Sequence, residues 1–291
     1  MKIWTTLFVF TIVLTSFKPL NPHGQPCYLP EFVEISSVKY KNETYTVVTM
    51  RRDGDRIKAK YFAARDYNGS SVYNRFLEWK KTNPNVILLS SGTYMDNNEN
   101  PQGLTIDNGV VVNENLIYDK MDAIAIVYAT GGIAVSNLKD GDLRVSGINR
   151  ALNLRKSGID LDDFIDWTKN QEATVFQTHL LVYKNQVKVN PNNSSKTSRE
   201  RRFLAVGKEE SGKIIHTIIH CPTYSTLYDG TNKALDFLNN VKDLEIIFMI
   251  NLDTGAQDVF ELHNSDCTTN GTMKGQQEPA KAVNLLTYYF K

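Results

Sequence analysis

The chain has 291 residues, of which 41% are hydrophobic and 22% charged, and its net charge is +1. This length and composition predict a folded protein with a sizeable core and exclude an intrinsically disordered chain. A net charge so close to zero provides no general attraction to nucleic acid or to anionic membranes, so neither is a predicted partner.

The first residues of the chain predict export. Lys2 precedes an apolar run over residues 3–17, which is too short to span a bilayer and suits the apolar region of a signal peptide. We expect residues 1–19 to be a signal peptide, residues 20–33 to be a linker, and residues 34–291 to form one domain. The mature protein is then secreted or periplasmic, with no stable membrane span after signal removal. A retained membrane anchor is the alternative.

The cysteine content permits one disulfide in an exported protein. The three cysteines are Cys27, Cys221 and Cys267, and the preferred pairing is Cys221 with Cys267, which leaves one thiol over. No Cys-x-x-Cys pair is present, so a cysteine-based zinc site is not expected. We predict no metal and no cofactor.

Apolar spacing predicts secondary structure along the whole chain. Helical spacing covers residues 72–81, 161–167 (with Asp160 as the cap) and 231–241. Short apolar or alternating runs predict strands over residues 45–50, 57–62, 86–89, 103–106, 110–112, 123–128, 133–135, 174–184, 203–206, 214–220, 246–250 and 283–289. The turn Asp53-Gly54-Asp55 predicts a hairpin between the first two strands.

The order of these elements predicts the fold class. Short strands predominate and the helices are placed irregularly, which favours an α+β fold over strict βαβ alternation. We predict a single domain with a twisted, largely antiparallel mixed sheet flanked by helices.

Three motifs suggest a bound phosphate, metal or anion, but none of them has the residues or the spacing that such a site requires. Residues 207–213 nearly match a phosphate-binding loop, but Ile214 stands where the magnesium ligand is required, so we predict a hairpin turn. His216 and His220 lie in a predicted strand, roughly 13 Å apart, too far to share a metal but on one face of the sheet. The run Arg199, Arg201 and Arg202 is typical of a solvated loop.

The apolar run at residues 246–250 ends abruptly in polar residues. Asn251 and Asp253 follow it, and Gly255 allows a sharp turn or a close approach to a ligand. A carboxylate at the end of a buried strand is well placed for catalysis, although the same pattern also describes an ordinary turn in which Asp253 bonds its own backbone. Asp96 also follows a strand and a small-residue turn, so Asp96 and Asp253 are the predicted carboxylate pair.

Several short segments, in order, resemble the phosphodiester glycosidase family. They are Val86–Tyr94, Pro101–Gly109, Gln177–Val182, Arg202–Gly207 and Asn251–Gly255. The positions that match the family's motifs are Gly92, Gly103, Gly109, Leu181, Val182, Arg202, Gly207, Asn251, Leu252, Asp253 and Gly255.

The resemblance implies an exported hydrolase that cleaves a sugar-phosphodiester or related glycosidic linkage. Asp253 and Arg202 are the implied catalytic residues, the aspartate acting at the anomeric carbon and the arginine holding the phosphodiester. We add Asp96 to the catalytic set. The predicted substrate-binding residues are Ser91, Gly92, Thr93, Gln177, His179, Asn251 and Gly255.

The sequence also departs from the family's motifs. Ser91 replaces Asn, Thr93 and Thr254 replace Gly, and Thr178-His179 replaces Gly-Pro. A Cβ narrows a site in which backbone must approach phosphate. Two functions therefore stay open: a hydrolase with a diverged substrate, and a non-catalytic protein that binds a carbohydrate or a phosphate. His179 is either a site residue or a histidine in the core or on the surface of the sheet.

Overall fold

The structure is a computed structural model. It describes residues 30–291 apart from 53, 55, 64–68, 193–196, 256–257, 264–267 and 275–277. The predicted signal peptide and most of the predicted linker lie outside the described residues, as do Cys27 and Cys267. Cys221 is buried, without a disulfide partner among the described residues, and its predicted pairing with Cys267 falls outside those residues.

Seventeen strands are the main secondary structure of the described chain. They are β1 (Val33–Tyr40), β2 (Glu43–Arg51), β3 (Ile57–Phe62), β4 (Val86–Ser91), β5 (Thr105–Asp107), β6 (Val110–Asn113), β7 (Ala123–Val127), β8 (Ile133–Asn137), β9 (Thr174–Thr178), β10 (Leu180–Tyr183), β11 (Gln186–Val187), β12 (Arg199–Lys208), β13 (Ile214–Ser225), β14 (Glu245–Leu252), β15 (Val259–His263), β16 (Thr268–Lys274) and β17 (Leu285–Phe290).

Three α-helices, and a single 3-10 turn at Pro279–Lys281, accompany these strands in the described part of the chain. The α-helices are α1 (Val72–Thr82), α2 (Gly158–Asn170) and α3 (Leu227–Val241), close to the predicted helical segments. Each begins at a hydroxyl side chain that accepts a hydrogen bond from a backbone N–H of the first turn. The cap of α2 is Ser157 rather than the predicted Asp160, which lies in the first turn. No described helix has both the length and the apolar character that a bilayer span requires.

The described strands form three antiparallel sheets, not the single sheet predicted. A seven-stranded sheet has the order β1-β2-β13-β12-β14-β10-β11, and two five-stranded sheets have the orders β16-β15-β4-β17-β3 and β6-β5-β9-β7-β8. The protein is therefore largely β-sheet rather than a clear α+β fold.

Two errors in the predicted strands explain this difference. The predicted hairpin between the first two strands is wrong, because β2 pairs with β1 and β13 whereas β3 pairs with β17 in another sheet. The predicted strand over residues 174–184 is two strands. It breaks at His179, where the chain leaves one five-stranded sheet and enters the seven-stranded sheet.

The hairpin predicted at residues 207–213 is present. Strands β12 and β13 pair antiparallel on either side of it, and Glu209 N–H donates to Lys213 O at 3.0 Å. A tight turn between two strands offers no helix N-terminus to a phosphate.

Two buried histidines lie in β13, a strand of the seven-stranded sheet. His216 is 3% exposed, with Nδ1 3.1 Å from the Tyr288 hydroxyl, and His220 is 1% exposed, with Nδ1 3.3 Å from Arg202 Nη2. Burial, and then the nearby charges of Arg52 and Arg202 respectively, lower the pKa of these imidazoles to about 3. Both side chains are therefore neutral in the folded protein at pH 7.

These histidines are expected to make the protein sensitive to acid. Unfolding returns each pKa to about 6.5, so below that pH the unfolded chain binds more protons than the folded protein does. The free energy of unfolding should then fall by about 1 kcal/mol per pH unit for each histidine as the pH drops from 6.5 toward 3. Urea unfolding of the wild type and of His216→Gln, at pH 7.5 and pH 5.0, measures the effect. The variant should lose less stability, and equal losses would contradict the assignment.

Candidate active site

A cleft of about 250 Å³ opens where the three sheets meet. Its walls come from the end of β14, the start of β12, the crossing between β9 and β10, and the segment that follows β4. Each of these segments is held by a buried strand, so the polar groups that face the cleft are mounted on rigid backbone.

Hydrogen bonds between the sheets fix this meeting point. Asp253 N–H donates to Gly92 O at 2.9 Å, and Asn251 N–H donates to His179 O at 3.2 Å. The Thr178 hydroxyl donates to Asn251 O at 2.8 Å. The backbone around Asp253 is therefore bonded to the segments after β4 and β9.

Asp253 lines the cleft and forms a turn as well. Its side-chain Oδ1 accepts from Gly255 N–H at 2.8 Å. This bond forms the turn that the sequence pattern also predicts, in which the Asp253 side chain bonds the nearby backbone. The residue is 4% exposed. A Cβ at position 255 would lie 2.9 Å from Oδ1, so any residue larger than glycine would displace this carboxylate.

Tyr94 supplies a hydroxyl donor to the cleft. Its oxygen accepts from Asn251 Nδ2 at 2.6 Å, so its own proton is available to another acceptor. Burial, and then the nearby charge of Asp253, raise the pKa of Tyr94 well above its ordinary value, so the hydroxyl stays protonated. Asn251 is 2% exposed, and its Oδ1 accepts no hydrogen bond within the described structure.

His179 presents a fixed, unprotonated nitrogen. Its Nδ1 lies 2.6 Å from Lys120 O. Because a carbonyl oxygen only accepts hydrogen bonds, Nδ1 carries the proton and Nε2 carries the lone pair. Burial lowers the pKa of this imidazole, which keeps it neutral at pH 7. His179 lies where the chain passes from one sheet to another, and it lines the cleft.

Two arginines add positive charge to the cleft. Arg201 is 5% exposed and is held by bonds from Nε to Ser225 O at 2.9 Å and from Nη2 to Thr197 O at 2.7 Å. Arg199 is exposed and lines the rim, with Nη1 close to Gly255. The arginine run is thus the start of β12 and not the solvated loop that the sequence suggests.

Arg202, the predicted anion-binding residue, does not line the cleft. Side chains alternate along a strand, and Arg202 has no exposed surface. Its Nη2 donates to Asp258 Oδ1 at 2.5 Å, its Nη1 donates to Val259 O at 3.1 Å, and its guanidinium lies 4.4 Å from the centre of the Phe260 ring. Its position is that of a structural residue beneath the site.

Three residues at the end of β4 and directly after it are predicted from the sequence to bind substrate but are buried away from the cleft. Ser91 Oγ accepts from Val259 N–H at 2.8 Å, and Gly92 N–H donates to Asn284 Oδ1 at 3.1 Å. The Thr93 hydroxyl donates to Gln177 O at 2.5 Å. These groups hold the sheets together and are not available to a ligand.

Gln177 is also predicted to bind substrate, but its side chain positions a loop. Its Oε1 accepts from Leu104 N–H at 3.2 Å and Ile117 N–H at 2.9 Å, and its Nε2 donates to Ile117 O at 2.6 Å and Met121 O at 2.7 Å. Residues 117–121 therefore have a fixed backbone. That loop includes Lys120, whose carbonyl orients His179.

Asp96 does not form a carboxylate pair with Asp253. Its Oδ1 accepts from Asn98 N–H at 2.8 Å and from Asn100 N–H at 2.9 Å, so it closes a local turn. It is not among the residues that line the cleft. Asp253 is the one carboxylate on the cleft wall in the described structure.

Four of the predicted residues meet in the cleft: Asp253, Asn251, Gly255 and His179. The sequence did not identify the other lining residues, which are Tyr94, Gln102, Arg199, Arg201, Leu227 and Thr254. Tyr94 ends the segment that carries the first family motif, and the two arginines are two residues apart in a strand. The position of Tyr94 and the spacing of the two arginines indicate site residues only when the ends of the strands are known.

Within the described ranges, no group of three or more His, Cys, Asp or Glu side chains is arranged to hold a metal ion. The cleft instead combines one carboxylate, one neutral imidazole, one tyrosine hydroxyl and two guanidinium groups.

Solved structures that resemble this chain do so distantly. The catalytic domain of the zebrafish N-acetylglucosamine-1-phosphodiester alpha-N-acetylglucosaminidase, auto-inhibited by its pro-peptide, is 13% identical, with a TM-score of 0.49 over 89% of this chain and 82% of that one. A hypothetical protein from Synechocystis is 11% identical, with a TM-score of 0.45 over 89% of this chain and 62% of that one.

A protein of Burkholderia pseudomallei described as exported is 9% identical, with a TM-score of 0.39 over 87% of this chain and 74% of that one. No protein-family model matches the chain, and no curated protein matches it. At these identities and TM-scores, the three structures do not bear on what the cleft binds.

Proposed function

We propose that the protein is an exported hydrolase that cleaves the bond between a sugar and a phosphodiester. The observation that supports this proposal is the cleft itself, in which the Asp253 carboxylate shares a small volume with Arg199 and Arg201. The family resemblance of the ordered strand-end motifs supports the same reaction class.

The presence of a single carboxylate favours a phosphate leaving group over an ordinary alcohol. Glycosidases that release an alcohol use a second carboxylic acid to protonate the departing oxygen. A phosphate ester leaves as an anion and needs no such proton, but it does need positive charge beside it. Arg201, whose Nε and Nη2 are held by backbone carbonyls, supplies that charge without reorganisation.

The remaining groups have matching roles. Asp253 stabilises the positive charge that develops at the anomeric carbon as the bond between that carbon and the phosphate oxygen breaks. The phosphate keeps the electron pair, water adds to the carbon, and His179 Nε2 accepts the proton that the water loses. Tyr94 and Asn251 hold sugar hydroxyls through the donor and the acceptor that they leave unused.

Arg199 provides a test that leaves the core intact, because its side chain is exposed. Arg199→Ala is expected to raise KM about 10-fold for a sugar 1-phosphodiester, since it removes one charge-assisted contact. The assay measures free sugar released from methyl phosphodiesters of glucose, N-acetylglucosamine and mannose. Arg144→Ala is the matched control, because Arg144 is also exposed but lies outside the cleft. Absence of turnover of the whole panel would overturn the hydrolase proposal.

A non-catalytic binding protein is the second candidate. The same observation of one carboxylate favours it, because many hydrolytic sites use two. Calorimetric titration of the same panel distinguishes the two functions. Binding that depends on Arg199, without release of sugar over a day, would establish the binding protein.

A further inference from the structure

A second and larger groove joins the cleft. It has a volume of about 730 Å³, against about 250 Å³ for the cleft, and His179 and Leu227 line both. We define the lysine groove as this space, with Tyr118, Lys120 and Lys188 on its walls. The cleft is of a size for a single sugar-phosphate unit, whereas the groove is in the range that holds a larger ligand.

The lysine groove carries excess positive charge. Its lining includes three lysines and two aspartates, and Asp122 is neutralised by Lys139 at 2.5 Å and by Arg155 at 2.7 Å. Lys120 and Lys188 form no ion pair with a carboxylate in the part of the chain that the structure describes. Lys188 Nζ donates to the neutral Gln186 Oε1 at 3.1 Å, so the positive charges of both ammonium groups remain to attract an anionic ligand.

An exposed aromatic ring lies beside these lysines. Tyr118 is 57% exposed, although its loop is fixed by the Gln177 side chain, which bonds both backbone groups of Ile117. A rigidly mounted tyrosine offers an apolar face with a polar tip, which is suited to a sugar ring. The same loop holds His179 through Lys120 O, so the ring and the cleft have a fixed relative position.

We propose that the lysine groove binds the next sugar-phosphate unit of an oligomeric substrate, and that the protein acts on a chain of such units in preference to a single one. Tyr118 stacks on the second sugar, and Lys120 and Lys188 bind the second phosphate. This inference rests on the proposed function, since it extends the same site by one unit.

The experiment compares a synthetic tetramer of hexose units joined by phosphodiesters with its methyl-capped monomer. The hexose is whichever of glucose, N-acetylglucosamine and mannose binds most tightly as the monomer. We expect the tetramer to bind at least 10-fold more tightly, and Tyr118→Ala to remove most of that difference while leaving the Kd of the monomer unchanged. Tyr224→Ala is the matched control, because Tyr224 is 67% exposed but lies outside the groove.

Salt provides a second readout. The tetramer's advantage should shrink between 50 mM and 500 mM NaCl, since exposed charges are screened at the higher ionic strength, and Lys188→Gln should weaken this dependence. Equal affinities for tetramer and monomer, or no effect of Tyr118→Ala on the tetramer, would overturn the proposal. Because binding is measured directly, a tetramer that binds through Tyr118 without being cleaved would overturn the hydrolase and leave the groove assignment standing.

Discussion

Replacing Asp253 by Asn is expected to lower kcat/KM by about 10²- to 10⁴-fold without unfolding the protein. The asparagine side chain is nearly isosteric with aspartate and keeps an oxygen that can accept from Gly255 N–H. In the wild type this N–H nitrogen lies 2.8 Å from Asp253 Oδ1. The asparagine side chain cannot supply the negative charge that stabilises the anomeric carbon in the transition state. Release of sugar from the best substrate of the panel measures activity, and a urea titration of the same sample measures stability.

Asp96→Asn is the matched control for this experiment. Asp96 also caps a local turn through Oδ1, which accepts from two backbone N–H groups, but it lies outside the cleft. Activity should therefore change by less than about 2-fold, as for substitutions that touch no transition-state contact. Equal losses in the two variants, or full activity in Asp253→Asn, would show that Asp253 is a structural residue only.

Replacing Asp258 by Asn is expected to destabilise the protein by about 3 to 5 kcal/mol, because it leaves a buried cation without its counter-charge. The Arg202 side chain has no exposed surface, and its Nη2 lies 2.5 Å from Asp258 Oδ1. The other bonds of this guanidinium go to neutral groups, among them Val259 O at 3.1 Å. Urea unfolding at pH 7.5 measures the loss.

A surface pair is the control for this measurement. Glu78 and Lys81 lie 2.7 Å apart in α1 with side chains 71% and 68% exposed, so Glu78→Gln should cost less than about 0.5 kcal/mol. Combining Arg202→Met with Asp258→Asn should recover part of the loss, since the uncompensated charge is gone. A loss below 1 kcal/mol in Asp258→Asn would mean that water or another group compensates Arg202.

The part of the site that the sequence predicts best is the end of β14. Five apolar residues followed by Asn251 and Asp253 indicate a buried strand with polar groups at its exit, and both side chains line the cleft. This strand end could be predicted because the pattern is local: the strand, its end and the turn all lie within ten residues.

The arginines show what a local pattern misses. The sequence marks Arg199, Arg201 and Arg202 as one cluster, but a strand places alternate side chains on opposite faces. Which face meets the cleft depends on how β12 pairs with β13 and β14, and the register shifts between Arg199 and Arg201. The spacing of residues within a single segment does not predict long-range strand pairing of this kind.

The division into three sheets was not predicted from the sequence for a related reason. The run over residues 174–184 is uniformly strand-like, and nothing in its composition marks His179 as the point where the chain changes sheet. The break is imposed by partners far away in the chain, β7 on one side and β14 on the other. His179 lines the cleft because of that change of sheet.

The bonds that join the sheets at Asp253 also bear on how the site opens. The amide protons of Asn251 and Asp253 are donated to His179 O and Gly92 O, within buried backbone contributed by different sheets. Such protons exchange with solvent only when the sheets separate, which in a packed β protein approaches global unfolding. Asp253 therefore lies in the part of the molecule whose amide protons exchange most slowly with solvent. Heat should abolish ligand binding and the fold at the same temperature.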